Sequence, residues 1–69
     1  MMVRKAIHIA ASGPTIEASV REAIDRATAT LEGVTRFEVT KISGELGDEG
    51  PLFNIELTVW FNLLERMHE

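Results

Sequence analysis

Apolar and polar residues alternate most regularly in the last third of the chain, where Phe53, Ile55, Leu57, Val59, Phe61 and Leu63 interleave with Asn54, Glu56, Thr58, Trp60 and Asn62. A period of two over residues 52–64 predicts a strand with one buried face. At ~3.3 Å per residue it would span about 40 Å, whereas a compact chain of this length has a radius of gyration of about 11 Å. Such a strand has to curl around a packing element, reach into a neighbouring subunit, or do both.

The rest of the chain supplies one helix and two more strands. Val3, Ile7 and Ile9 alternate with Arg4 and His8, which predicts a strand over residues 2–10. Residues 11–15 form a turn with Ser12 and Thr15 as candidate helix N-caps, and Glu17 suits the positive start of a helix. Ile16, Val20, Ala23, Ile24, Ala27, Leu31 and Val34 then recur at three- and four-residue intervals and define an apolar helix face. Glu17 with Arg21, and Glu22 with Arg26, stand at the i,i+4 spacing that favours ion pairing. Gly33 is the expected stop. Residues 35–46 read as a strand whose register changes, because Phe37 and Val39 are odd-numbered while Ile42 and Leu46 are even-numbered. A bulge near Thr40 and Lys41 reconciles the two halves. Gly47-Asp48-Glu49-Gly50-Pro51 predicts the turn into the last strand.

A helical crossover followed by a hairpin places the last strand between the other two. The expected fold is therefore α+β: a strand-helix-strand-strand protomer with a three-stranded antiparallel sheet and its helix on one face. The opposite face would carry Arg36, Glu38, Asn54, Glu56, Thr58, Trp60 and Asn62 with no element over it. A large aromatic on a bare face marks an interface, so Trp60 is read as an oligomer contact.

Size makes that expectation stronger. The chain has 69 residues and a mass of 7.7 kDa, one domain over residues 1–69, and should bury roughly 60% of its open-chain surface. About 4,000 Å² of buried apolar area at about 25 cal/mol per Å² gives ~100 kcal/mol, and ordering the chain costs about as much. Small domains usually make up the difference with disulfides, a metal or subunit contacts. There is no cysteine, and His8 and His68 are the only histidines, which leaves self-association.

Charge and hydropathy exclude other classes. Eleven acidic residues against seven Lys plus Arg, with a pI near 5.1, argue against a nucleic-acid surface. No apolar stretch approaches the ~18 residues of a membrane span, and residues 1–12 lack the apolar centre of a signal peptide. The reading is a cytoplasmic protein. Ser12, Ser19 and Ser43 have only the two histidines as possible bases and no motif joining them, so the chain is not read as an enzyme. His8 alone is read as a polar contact rather than a metal ligand. Glu45, Asp48 and Glu49 lack the alternating oxygen ligands of a calcium loop.

Arg26-Ala27 followed by Thr30-Leu31, the Phe37-Glu38-Val39 strand start, Gly44, and Phe53-Asn54-Ile55 leading to Val59 and Phe61 together resemble the dodecin family over nearly the whole chain. The resemblance implies a sheet wrapped around its helix, a hollow homo-dodecamer, and storage or sequestration of a flavin (FMN, riboflavin or lumichrome) or a related planar aromatic at subunit interfaces. It gives Arg36, Asn54, Thr35 and Ser43 as the candidate ligand-contacting positions, and it also exposes departures. Arg36 stands where the family places the tryptophan that sandwiches the flavin, and Asn54 replaces the glutamine that reads the ring edge. Thr35 replaces an acidic residue, and Ser43 and Asn62 replace arginines. Trp60 replaces a glycine and His8 a glutamate. A guanidinium can itself lie on an aromatic face; the alternative for Arg36 is a solvated side chain beside Glu38. Counted along the strand, Trp60 is roughly 20 Å from Asn54, too far to replace the lost ring within one protomer. The second reading is accordingly a shell that has lost flavin and serves as a structural or ion-binding oligomer.

Overall fold

A computed structural model of the chain describes residues 2–64; His68 lies outside them. Strand β1 (Met2–Gly13), helix α1 (Ile16–Thr30), strand β2 (Val34–Gly47) and strand β3 (Gly50–Leu64) follow in order. They form the expected antiparallel sheet in the order β1-β3-β2, with the helix on one face. The long alternating strand is central because it alone has hydrogen-bonding partners on both edges.

β1 continues past the predicted end at residue 10. Ala10, Ala11, Ser12 and Gly13 show no hydrophobic alternation, but their backbone pairs with Glu56, Ile55, Asn54 and Phe53. Ser12 is consequently a strand residue and not a cap. Thr15 caps the helix, its hydroxyl accepting from the Ala18 N–H at 3.0 Å. Removing that acceptor with Thr15→Ala is expected to cost about 1 kcal/mol. Thermal denaturation should record it as a drop of roughly 4–8 °C, with no loss of the sheet signal. Both predicted i,i+4 pairs form, Arg21 with Glu17 at 3.4 Å and Arg26 with Glu22 at 2.8 Å. Leu31 and Val34, which continue the helical periodicity, lie beyond the helix: Leu31 is its C-cap and Val34 opens β2.

The core is narrow. Ile55, Leu57 and Val59 of β3 are fully buried against Ala23 and Ala27, whose small side chains let the helix approach the sheet. Ile7, Ile9 and Ala11 of β1 and Val39 of β2 flank them. Ser19 is also fully buried, and its hydroxyl donates between the carbonyls of Thr15 (2.9 Å) and Phe53 (3.3 Å). This pins the start of the helix beside Phe53. The exit is pinned at Gly33, whose carbonyl accepts from the Asn62 N–H at 3.0 Å.

Those two anchors show what the helix leaves bare. The 15 residues of α1 cover about 22 Å, whereas the 15 residues of β3 extend about 50 Å. The β2–β3 hairpin beyond Phe53 therefore projects past the helix as an arm, and the protomer measures 60 × 19 × 12 Å. Its surface of 5360 Å² exceeds by roughly 1,000 Å² what a compact chain of this mass exposes. Leu46 on this arm is 93% exposed and Leu52 41%.

Candidate functional site

The face of the sheet turned away from the helix is built by register. Two β2 residues interrupt the pairing with β3. Thr40 is the extra residue between Val39, opposite Leu57, and Lys41, opposite Glu56. Its hydroxyl holds the bulge by donating to the Glu56 carbonyl at 3.1 Å. This is the register change expected near Thr40 and Lys41, and it turns Ser43 to the same face as Arg36. A second bulge places Thr35 between Val34 and Arg36.

Four cross-strand rows result. Ser12, Asn54 and Ser43 form the first, Ala10, Glu56 and Lys41 the next, His8, Thr58 and Glu38 the third, and Ala6, Trp60 and Arg36 the fourth. Within the third row Thr58 Oγ1 and His8 Nδ1 are hydrogen-bonded at 2.9 Å, so His8 makes a polar contact across the strands. Among the described residues no group of three or more His, Cys, Asp or Glu is placed to hold a metal ion.

The four candidate residues separate into two groups. Asn54 and Ser43 are direct cross-strand partners, and on the other side Ser12 Oγ donates to Asn54 Oδ1 at 2.6 Å. Arg36 lies three rows away with Thr35 next to it, and six residues of β3 separate the rows, roughly 20 Å. Arg36 is an exposed side chain that also has a partner in its own chain. Its guanidinium carbon lies 4.5 Å from the centroid of the Trp60 ring, a cation–π stack between directly opposed residues. Trp60 is half-buried as a result. The 20 Å that separate Trp60 from Asn54 thus separate Arg36 from Asn54 as well, and Trp60 occupies the row of Arg36 rather than a remote place.

Sequence reasoning missed Ser12 as part of this face. The available signal was the strand pairing: extending β1 to Gly13 puts Ser12 opposite Asn54, whereas the cap assignment turned it toward the helix. Open grooves lie among the described residues. One of about 470 Å³ runs between the end of β1 and the first turns of α1, past Ser12, Pro14, Ala18 and Arg26. Another, about 190 Å³, lies over His8, Ala10, Thr40 and Glu56. Neither is lined by Arg36 or Asn54.

The dodecin family model matches residues 3–64. The chain belongs to the dodecin family. Solved dodecins carry the same fold: an arginine-to-alanine variant from T. thermophilus is 31% identical with a TM-score of 0.87, covering 94% of this chain and 100% of that one. A dodecin from Streptomyces coelicolor is 27% identical with a TM-score of 0.85, covering 94% and 96%. A calcium dodecin from Mycobacterium tuberculosis, described as having a novel calcium-binding site, is 23% identical with a TM-score of 0.79, covering 97% and 99%. No curated relative matches the chain. Dodecins as a family bind flavins. In this dodecin the large ring stands on β3 and the slimmer partner on β2, within a single cross-strand pair. Among the described residues no helix is long and apolar enough to cross a membrane.

Proposed function

We propose that the protein is a cytoplasmic, non-enzymatic homo-dodecamer that stores or sequesters a flavin (FMN, riboflavin or lumichrome) between subunits. The observation that carries this reading is the Arg36–Trp60 stack. A guanidinium plane backed by an indole is a flat, electron-poor surface, and an isoalloxazine ring can lie on it as it would on a tryptophan. Indole, guanidinium and ligand would then form a three-layer stack.

Asn54 reads the edge of the ring, with Ser43 beside it. Because Asn54 lies about 20 Å from Arg36 along one sheet, no three-ring ligand spans both within a protomer. A ligand that touches both takes Arg36 and Thr35 from one copy and Asn54 and Ser43 from another, consistent with neither of those grooves including Arg36 or Asn54. The projecting arm and the exposed Phe37, Ile42, Leu46 and Leu63 are the apolar surfaces that neighbours would cover.

Titration with riboflavin, FMN and lumichrome should quench flavin fluorescence at micromolar protein. Trp60→Ala should weaken the binding about tenfold, the ~1–2 kcal/mol that a desolvated cation–π layer supplies. Absence of quenching rejects the proposal. One observation favours a second reading: Arg36 already has a partner in its own chain, and Ser43 and Asn62 offer no cation to a ligand phosphate. A colourless protein that takes up none of the three ligands would be a shell without flavin, its −4 charge per chain gathering counterions.

A further inference from the structure

The two sides of the Arg36 guanidinium have different surroundings. One lies over the Trp60 indole, with 4.5 Å from the guanidinium carbon to the ring centroid. Trp60 is half-buried and Arg36 exposed, so the other side is the one a ligand meets. The ion pairs formed among the described residues are both on the helix, Arg21 with Glu17 and Arg26 with Glu22, and no carboxylate there is paired with Arg36. Glu38, opposite Thr58, follows two residues on along the same strand face, about 7 Å away. Arg4, opposite Asn62, stands one row beyond Trp60 on that face. Among the described residues this end of the face thus sets two cations against one carboxylate, in a chain whose net charge is −4.

We infer that Arg36 makes the site select the reduced, anionic flavin over the oxidised one. Oxidised isoalloxazine is neutral and electron-poor. Uptake of two electrons, with one proton at N5, makes the ring electron-rich and, above neutral pH, leaves N1 deprotonated and the ring a monoanion. A cation in contact with a ring is attracted by negative charge on it and by an electron-rich π-face. An indole in direct contact is itself electron-rich and favours the electron-poor, oxidised ring. The guanidinium, interposed between indole and ligand, reverses that sign. The electrons come from an external reductant, and the protein only holds one of the two states more tightly. This deepens the flavin reading and rests on it.

Riboflavin is the probe for the test, because it has no phosphate and the charge that separates its two states lies in the ring. Anaerobic equilibrium dialysis at mildly alkaline pH compares oxidised riboflavin with riboflavin reduced by dithionite. The wild-type protein should hold the reduced form about tenfold more tightly, the order of a partly desolvated cation–π contact. The midpoint potential of the bound flavin should then lie about 30 mV above that of the free one. Arg36→Gln should bring the ratio to one or below, and a preference for the reduced form that survives it overturns the inference. That variant also removes a layer of the stack, so Glu38→Gln carries the test from outside it. Loss of the carboxylate leaves the Arg36 charge less opposed and should raise the ratio about twofold, the scale of one exposed charge interaction; an unchanged ratio overturns the role of charge. Equal or tighter binding of the oxidised form by the wild type overturns this inference and leaves flavin binding intact. Failure to bind either form overturns the flavin reading and this inference with it.

Discussion

Leu46→Asp is expected to break the proposed dodecamer into small species while leaving the protomer folded. Leu46 is 93% exposed in the single chain, so it contributes almost nothing to the packing between helix and sheet. Its place is on the arm that outruns the helix, opposite Pro51 and next to the two-residue turn. If neighbours cover it, each copy gains about 1.5–3 kcal/mol from the burial. An aspartate there loses that gain and adds the cost of burying an unpaired carboxylate, several kcal/mol more. In the proposed dodecamer the loss recurs in every copy. Sedimentation should show that assembly replaced by small species, with helix and strand content unchanged by circular dichroism. A variant that still sediments as the dodecamer would show that the arm is not the contact.

Gly33→Ala is expected to cost about 2–4 kcal/mol, much of the stability of a chain this short. Two terms combine. Gly33 has φ +72°, which an L side chain adopts at a cost of roughly 1–2 kcal/mol. A Cβ there would also lie 2.9 Å from the Asn62 carbonyl oxygen. That oxygen is backbone of the central strand and cannot swing aside. Relieving the clash separates the two chain segments, which also stretches the bond from the Asn62 N–H to the Gly33 carbonyl. Gly33→Asn separates the terms, because asparagine tolerates the left-handed region but keeps the Cβ; it should recover only about 1 kcal/mol. At Gly50, with φ +121°, an added Cβ would meet nothing within 4 Å, so alanine there bears the conformational cost alone. Urea titration of the three variants tests the ordering. An Asn variant as stable as wild type would remove the clash from the account.

Much of the candidate site could be read from particular residues. The bulge followed from the mismatch between Phe37 and Val39 on one side and Ile42 and Leu46 on the other, and the structure has its extra residue at Thr40. Counting back from a two-residue turn with that one extra residue also puts Arg36 opposite Trp60. That count needs the two-residue turn, which the structure supplies; the sequence alone marks residues 47–51 as the turn and does not reach the pairing. The Arg36–Trp60 stack itself was not legible, because strand pairing says which residues face each other and not which rotamers bring a guanidinium over a ring. Ser12 shows a different limit. A serine shortly before a helix is an ordinary cap signal, and only the pairing of β1 with β3 shows that Thr15 caps the helix while Ser12 faces Asn54.

Periodicity and turn chemistry act between near neighbours in the chain, and they were enough for the order of elements, the central place of the long strand and the buried row of Ile55, Leu57 and Val59. Short motifs in their order added the family. Contacts between residues far apart in the chain came only from the folded protomer: the guanidinium over the indole, the serine on the amide, and the arm left uncovered by a helix half as long as its strand. These depend on where the strands stop and how the bulges set the register. One residue of slip moves a side chain to the other face of the sheet, so the local pattern supplied the parts of the site and the fold supplied their arrangement.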